Sequence, residues 1–373
     1  MMRGALPVAR GLVLCPHGSD VSGLPSSVGI LFGGHPEPTT EGIASSRRIA
    51  AAVSGLRRDE TLLFLLSGGA SALLEIPRPG LDDDDLIAAH RALVASGADI
   101  TEINRVRCCL SAVKGGALAA LAAPARVCTF AVSDVVGDDP ATIGSGPTFA
   151  AACGARQSDA IAALAIVARY AIQMPSRVLV HLESMASAGG SRREDHADST
   201  CEYEVIAAVR DAVEAAAAFV EAQGWQVSVR PQPISGTTTV AAAEMAQQLA
   251  WRGSGNAPRA WIAGGETTVR VPAACDGRGG RNLDLAARVA VQIAGRERVA
   301  CVVAGTDGRD GSSRAAGAII DGGTAGRAAA AGFALPEALA AFDTEPAIEA
   351  AGDLLVTGPT GTNVGDLLVA VSS

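Results

Sequence analysis

Lysine is nearly missing from this chain. Lys and Arg together number 30, and Lys114 is the sole lysine among them. Arginine supplies the other basic residues, and it is the net charge of −9 that argues against nucleic acid, whose affinity needs clustered Lys and Arg. Aromatic residues make up 3%, so any core must be built from Ala, Val, Leu and Ile. No apolar run approaches the ~18 residues of a membrane span, and no signal-peptide segment follows Met1, so a cytoplasmic protein without membrane association is expected. The eight cysteines show no C-x-x-C or Cys/His metal spacing. Several lie inside apolar runs such as "RVCTF" and "VACVVAG", as in a reducing compartment. There is no G-x-x-x-x-G-K-[ST], no G-x-S-x-G and no H-E-x-x-H. A strand-linked G-x-G-x-x-G is absent too. A Walker NTPase, an α/β hydrolase, a zincin and a dinucleotide dehydrogenase are thereby all disfavoured.

What is present is a recurring pattern. Short apolar runs end in glycine with a hydroxyl or carboxylate: "GLVLCPHG", "TLLFLLSGGAS", "RVCTFAVSD", "RAWIAGGETT", "RVACVVAGTDG" and "GDLLVTGPTGTN". Alanine-rich stretches of helical spacing separate them. Strands alternating with helices predict an α/β protein with mainly parallel sheets covered on both faces. Ligands in such folds bind beyond the carboxyl ends of the strands. At 373 residues two domains are expected, with the boundary near 250, giving 1–250 and 251–373. The polar stretch 183–200 reads as an exposed loop, 251–260 as a sparse connection and "DDDD" (82–85) as an acidic first helical turn.

Five clusters could carry chemistry. "SDVVGDDPATIGSGPT" crowds Asp134, Asp138, Asp139 and Ser145 beyond an apolar run. "LLSGGAS" offers Ser67, Gly68, Gly69 and Ser71, either to cradle a phosphate or carboxylate or simply as a tight connection. In "NRVRCCLSAVKGG", helical spacing puts Arg107, Ser111 and Lys114 on one face, either a functional cationic face or a solvated one. Lysine is a point charge that arginine's planar fork does not imitate, which makes Lys114 a candidate for a dedicated role. "GRGGRN" brings Arg278 and Arg281 into a flexible loop, with Asn282 as an alternative helix cap. "AGTDGRDG" offers Asp307 and Asp310, and Mg sites commonly use one or two carboxylates plus substrate oxygens. His35, in "GGHPEP", reads as a turn residue. Glycine loops, cationic side chains and loop carboxylates are together the parts of phosphoryl transfer.

The stretches "LLSGGASALL", "ASGADITEINRVRCCLSAVKGG", "SDVVGDDPATIGSGPT", "GGETTVRV", "GRGGRN", "AGTDGRDGSSRAAGAIIDGGT" and "GDLLVTGPTGTNVGDL" resemble, in order, the two-domain glycerate 2-kinases with a MOFRL C-terminal half. The resemblance implies two α/β/α domains, the first Rossmann-like, and transfer of the γ-phosphoryl group of ATP, with Mg, to the 2-hydroxyl of D-glycerate in the cleft between domains. It implies Asp134, Arg281, Glu266 and Lys114 as catalytic. Ser67, Gly68, Gly69, Ser71, Ser145 and Asn282 would contact substrate or phosphate, and Asp134 and Asp307 would hold metal. The partners implied are D-glycerate and a nucleotide, with a homodimer left open. The family usually carries a further N-terminal segment with a lysine-bearing turn that has no counterpart here, so the first sheet is expected to be N-terminally incomplete. Ala70, Cys108–Cys109 and "RNLD" also depart from the family pattern. A non-catalytic relative binding a hydroxy acid or nucleotide, and a hydroxypyruvate reductase, are the alternatives.

Overall fold

Helix starts are written locally. Asp82 accepts the Asp85 N–H at 2.8 Å while the Asp85 carboxylate takes the Asp82 N–H at 3.1 Å. Asp99 and Glu102 repeat the arrangement one helix later, so the acidic run 82–85 does open a helix. The structure, a computed structural model, describes residues 10–149, 157–188, 201–250, 258–271 and 275–373. Its class is α/β. No helix among the described residues is long and apolar enough to cross a membrane. The seven described cysteines are free thiols.

The chain divides into two compact units, one of residues 1–131 and 139–204, the other of 132–138 and 205–373. The boundary expected near 250 therefore moves to 204/205. The physical reason is that the strand at Gln226–Val229 pairs with Arg259–Gly265 and the helix Thr238–Ala250 packs on Arg281–Gln292. Residues 205–250 thus share one core with the strands and helices of 259–373. Of the expected loop 183–200, the first residues extend a helix to Ser187, and 189–200 lie outside the described residues. So do 251–257 of the expected connection.

The first unit contains β1 (Gly11–Pro16), β2 (Val28–Gly33), α1 (Thr40–Ser54), β3 (Thr61–Leu66), α2 (Ala70–Leu73), α3 (Asp83–Ala95), α4 (Ile100–Leu110) and α5 (Ala117–Ala122). It continues with β4 (Arg126–Val132), α6 (Gln157–Arg169), α7 (Ser176–Ser187) and β5 (Cys201–Ala207), the last residues of β4 and β5 grouping with the other unit. β1 and β2 pair in parallel as a two-stranded sheet, and β3, β4 and β5 form a second sheet with β3 parallel to β4. Leu62 and Phe64 alternate onto the face that packs against Val53, Leu118, Ala122 and Val127. A second core joins α1, α3, α4, α6 and α7 through Ile43, Leu86, Leu93, Val106, Ile166 and Leu182. Each fully buried leucine contributes roughly 1.5–3 kcal/mol.

The second unit contains α8 (Val209–Ala222), β6 (Gln226–Val229), α9 (Thr238–Ala250), β7 (Arg259–Gly265), α10 (Arg281–Gln292), β8 (Val299–Gly305) and β9 (Gly317–Asp321). After these come α11 (Thr324–Ala330), α12 (Leu335–Ala341), α13 (Thr344–Ala350), β10 (Leu354–Leu355) and β11 (Asp366–Ser372). The sheet order is β10-β9-β8-β11-β7-β6. Strand directions here are mixed. β6 runs parallel to β7, whereas β11 is antiparallel to both β7 and β8, and β9 is antiparallel to β8 and β10. The register aligns Ala263, Leu368, Val303 and Ala318 across four strands, with Trp261, Ala370, Cys301 and Ile320 two residues along. All eight point into one core with α9, α10, α12 and α13. On the opposite face of β7, α8 approaches so closely that a Cβ at Gly264 would collide with Val209 and Val213. Helices therefore flank β7 on both sides.

Candidate active site

Three glycine-bearing loops of the second unit converge at the carboxyl end of β8 and the start of β11. Gly280 precedes α10 where a Cβ would strike the Asp310 carboxylate. Gly308, at φ +84, lies where one would strike the Gly358 carbonyl. Only glycine permits loops 277–282, 305–311 and 357–366 to interleave this way. Asp310 is 2% exposed and accepts the N–H groups of Asn282 and Leu283 at 3.0 and 2.8 Å. It supplies from a neighbouring loop the cap that α10 lacks in its own sequence.

That cap aims the residues beside it. Arg281 donates through Nε and Nη2 to Asp366 at 2.6 and 2.9 Å, a bidentate pair. Its Nη1 lies 2.9 Å from Glu266. Asn282 donates to the same Asp366 at 3.0 Å, while its own buried Oδ1 has no partner among the described residues. Asp134 accepts from Asn363 at 3.0 Å, and Asp307 accepts the Arg309 N–H at 3.0 Å. Asp366, Asp310 and Asn282 are buried, whereas Arg281, Asp134 and Asp307 are half-buried and the Glu266 side chain is 42% exposed.

The charges shift one another. Burial pushes the Glu266 carboxyl up; Arg281 opposes this, and Asp366, Asp134 and Asp307 push the same way. Glu266 is thus within electrostatic reach of Arg281 and of three further carboxylates. Burial works against the charge on Arg281, but Asp366 and Glu266 outweigh it and keep the guanidinium firmly protonated. Burial pushes the Asp310 carboxyl up to about 6, against the pull of the two N–H donors.

In the first unit, Ser67 and Gly68 follow β3, and Gly69 (φ +83) turns the chain into α2. Ser67 is exposed and Gly68, Gly69 and Ser71 are half-buried. The His35 ring stands against Gly69, 3.0 Å from where a Cβ would lie. Ser71 Oγ and Ser145 Oγ share a hydrogen bond of 2.7 Å, and Ser145 Oγ donates to Asn104 at 3.3 Å.

Two family models match the chain: a domain of unknown function (DUF4147) over residues 1–183 and the MOFRL family over residues 259–366. A D-glycerate 2-kinase of Thermotoga maritima is 34% identical over 368 residues, covering 98% of this chain and 84% of the relative. A solved glycerate kinase structure from the same organism superimposes with a TM-score of 0.81 at 34% identity, covering 98% and 85%. The chain belongs to the two-domain glycerate 2-kinase family. A putative hydroxypyruvate reductase of Agrobacterium vitis is 38% identical over 364 residues, covering 96% of this chain and 80% of the relative.

Of the residues expected for a glycerate 2-kinase site, the structure gathers Asp134, Glu266, Arg281, Asn282 and Asp307 in one unit. Three expectations need correction. Lys114 is 1% exposed and forms an ion pair with the equally buried Glu75, so its ammonium cannot touch substrate. It is also not on a helix with Arg107 and Ser111: α4 ends at Leu110 because Ser111 turns extended and the Ala112 N–H bonds to the Ile76 carbonyl at 2.8 Å. Ser145 is fully buried at φ +63, with its hydroxyl occupied by Ser71 and Asn104, so it backs the turn and does not face a ligand. Asn282 is 1% exposed and steadies Asp366, while the cap on α10 comes from Asp310. Sequence reasoning missed Asp366, which opens a strand that reads as ordinary core, and Asn363. The only signal for either was their place inside the motif "TGPTGTNVGDL".

Proposed function

We propose that the protein phosphorylates D-glycerate at its 2-hydroxyl to give 2-phosphoglycerate. The observation that carries this reading is Arg281, held by Asp366 and Glu266 with its charge secured, beside the half-buried Asp134 and Asp307. Phosphoryl transfer needs positioned charge more than covalent chemistry. A guanidinium that cannot rotate away is preorganised to meet charge as it develops on the transferred group. Asp134, its carboxylate fixed by Asn363, would serve either as the acceptor of the attacked hydroxyl's proton or as a metal ligand. In the first unit, the turn Ser67, Gly68 and Gly69 offers hydroxyl and amide donors for a carboxylate or phosphate, with Ser71 bonded to Ser145 behind it.

ATP is the donor that the family implies. Asp134 and Asp307 would hold Mg, which would neutralise charge between the donor's phosphate oxygens. The donor type fits such an ion: Mg takes oxygen ligands, and the Asp134 and Asp307 carboxylates both act on Glu266. No cluster of three or more His, Cys, Asp or Glu that could hold a metal exists among the described residues. Mg requires no such cage, since one or two carboxylates commonly hold it together with substrate oxygens.

The test is incubation of the full chain with D-glycerate and Mg-ATP, with the product identified by phosphorus NMR. A 2-phosphoglycerate resonance is expected. Folded protein giving no product would favour a relative that only binds hydroxy acid or nucleotide. The name carried by the Agrobacterium relative makes hydroxypyruvate reduction a second reading. NADH oxidation dependent on hydroxypyruvate would support that one, and no such oxidation is expected from a chain without a dinucleotide fingerprint.

A further inference from the structure

Lys114 is withdrawn from any ligand, yet its surroundings are unusual for a buried charge. Its Nζ donates to the Ser71 carbonyl at 2.8 Å and pairs with the Glu75 carboxylate, both side chains being fully enclosed. His90 Nε2 lies 2.9 Å from the same carboxylate oxygen and is itself 2% exposed. The two residues after the lysine, Gly115 (φ +61) and Gly116 (φ +87), donate their N–H groups to the Ser145 and Gly146 carbonyls at 3.0 and 2.7 Å. Cys108 Sγ also reaches the Ser145 carbonyl, at 3.9 Å. Three chain segments far apart in sequence, 67–75, 114–116 and 144–146, are thus tied through one side chain and its own backbone.

Ionic pairs of this kind are a poor source of stability alone. Taking two charges out of water often costs more than a well-packed apolar pair would, and in some proteins such a pair fixes one arrangement of the chain. What this one fixes is specific. Lys114 grips α2 from inside at Ser71, and Ser71 Oγ in turn bonds Ser145, so the outward residues Ser67, Gly68 and Gly69 are carried on a backbone anchored from behind. An arginine in the same place would bring a planar fork too wide for one carbonyl and one carboxylate oxygen. This accounts for a lone lysine in a chain that otherwise uses arginine.

We propose that Lys114 and Glu75 form a clamp that positions the 67–71 turn as a binding surface, making Lys114 a positioning residue for the reaction and not a catalytic one. The inference rests on the kinase reading only for which ligand the turn receives. The variant to make is Lys114→Met/Glu75→Leu in the full chain, which removes both charges together so that neither is left without the other. In the folded variant, amides 68–72 and 144–146 should exchange hydrogen about tenfold faster than in the wild type, with the rest of the chain unchanged. The KM for D-glycerate should rise about tenfold, as loss of one positioning hydrogen bond predicts, while kcat and the nucleotide KM stay within about twofold. Should that pair not fold, Lys114→Gln/Glu75→Gln keeps a polar contact but is one bond too short for the Ser71 carbonyl, and carries the same expectation. Unchanged exchange at 68–72 overturns the clamp. Faster exchange with an unchanged glycerate KM overturns its link to the reaction. A wild type that exchanges as expected but never turns over D-glycerate sinks the kinase reading and leaves the clamp standing.

Discussion

Single side chains in the second unit divide into those that face outward and those that hold them there. Arg281 touches two carboxylates in a fork that a lysine cannot reproduce. Arg281→Lys should therefore lower kcat about a hundredfold with little change in melting temperature, since the charge remains but its aim is lost. Asp134→Asn should abolish turnover while circular dichroism stays native, because Asn363 can still bond an amide oxygen. Asp310 acts one step back. Its folded carboxyl titrates at about 6 against an ordinary 3.8, so the native state holds that proton more tightly than the unfolded chain. The resulting stability is full below about pH 4 and is lost as pH rises through about 6. Asp310→Asn cannot titrate, and its curve of melting temperature against pH should be flatter across that window. A variant curve parallel to that of the wild type would mean the carboxyl is ionised normally.

At the scale of elements, helix starts and strand positions were legible because their causes are local. The acidic capping boxes at Asp82 and Asp99 and the apolar runs ending in glycine need no tertiary knowledge. Strand direction in the second unit was not legible. "VACVVAG" is a continuous apolar run, and such a run signals burial on both faces whether its neighbours are parallel or antiparallel. Direction there is decided by β11, which enters from the far end of the chain to sit between β7 and β8. The end of α4 was hidden for a similar reason. Nothing in "RVRCCLSAVKGG" opposes a further helical turn before Gly115; the segment 76–78 captures the backbone instead, with Ala112 bonded to Ile76 and Arg78 to Leu110. The site was half legible. Arg281, Asp134 and Asp307 stand out as charged residues among glycines and Glu266 is named only through the family resemblance, while Asp366 looks like the polar edge of a strand. One break in the first unit should be costly: Lys114→Met alone leaves the buried Glu75 carboxylate without its cation and with only His90 beside it, a loss of about 3–5 kcal/mol measurable by urea unfolding.

For the whole molecule, the scarcity of aromatics has a consequence in how the cores are built. Each unit has its own cluster built mainly of small and branched aliphatic residues: Ile43, Leu86 and Leu93 with their neighbours in one, Leu283, Val289 and Val303 with theirs in the other. Units with separate cores need not unfold as one cooperative block. Their buried ionisable groups also respond to pH in opposite senses. Burial opposes ionisation of Glu75, but Lys114 and His90 overcome it and hold its carboxyl down to about 2 from 4.5. Its contribution is therefore present above about pH 4.5 and is lost as pH falls toward 2. Asp310 does the reverse between about 4 and 6. Calorimetry at pH 7 should show a calorimetric enthalpy exceeding the van't Hoff value, the mark of more than one transition. Lys114→Met should lower one component and leave the other in place, and Asp310→Asn should move only the other. If both variants shift a single transition equally, the units share one cooperative stability and their separate cores do not confer separate unfolding.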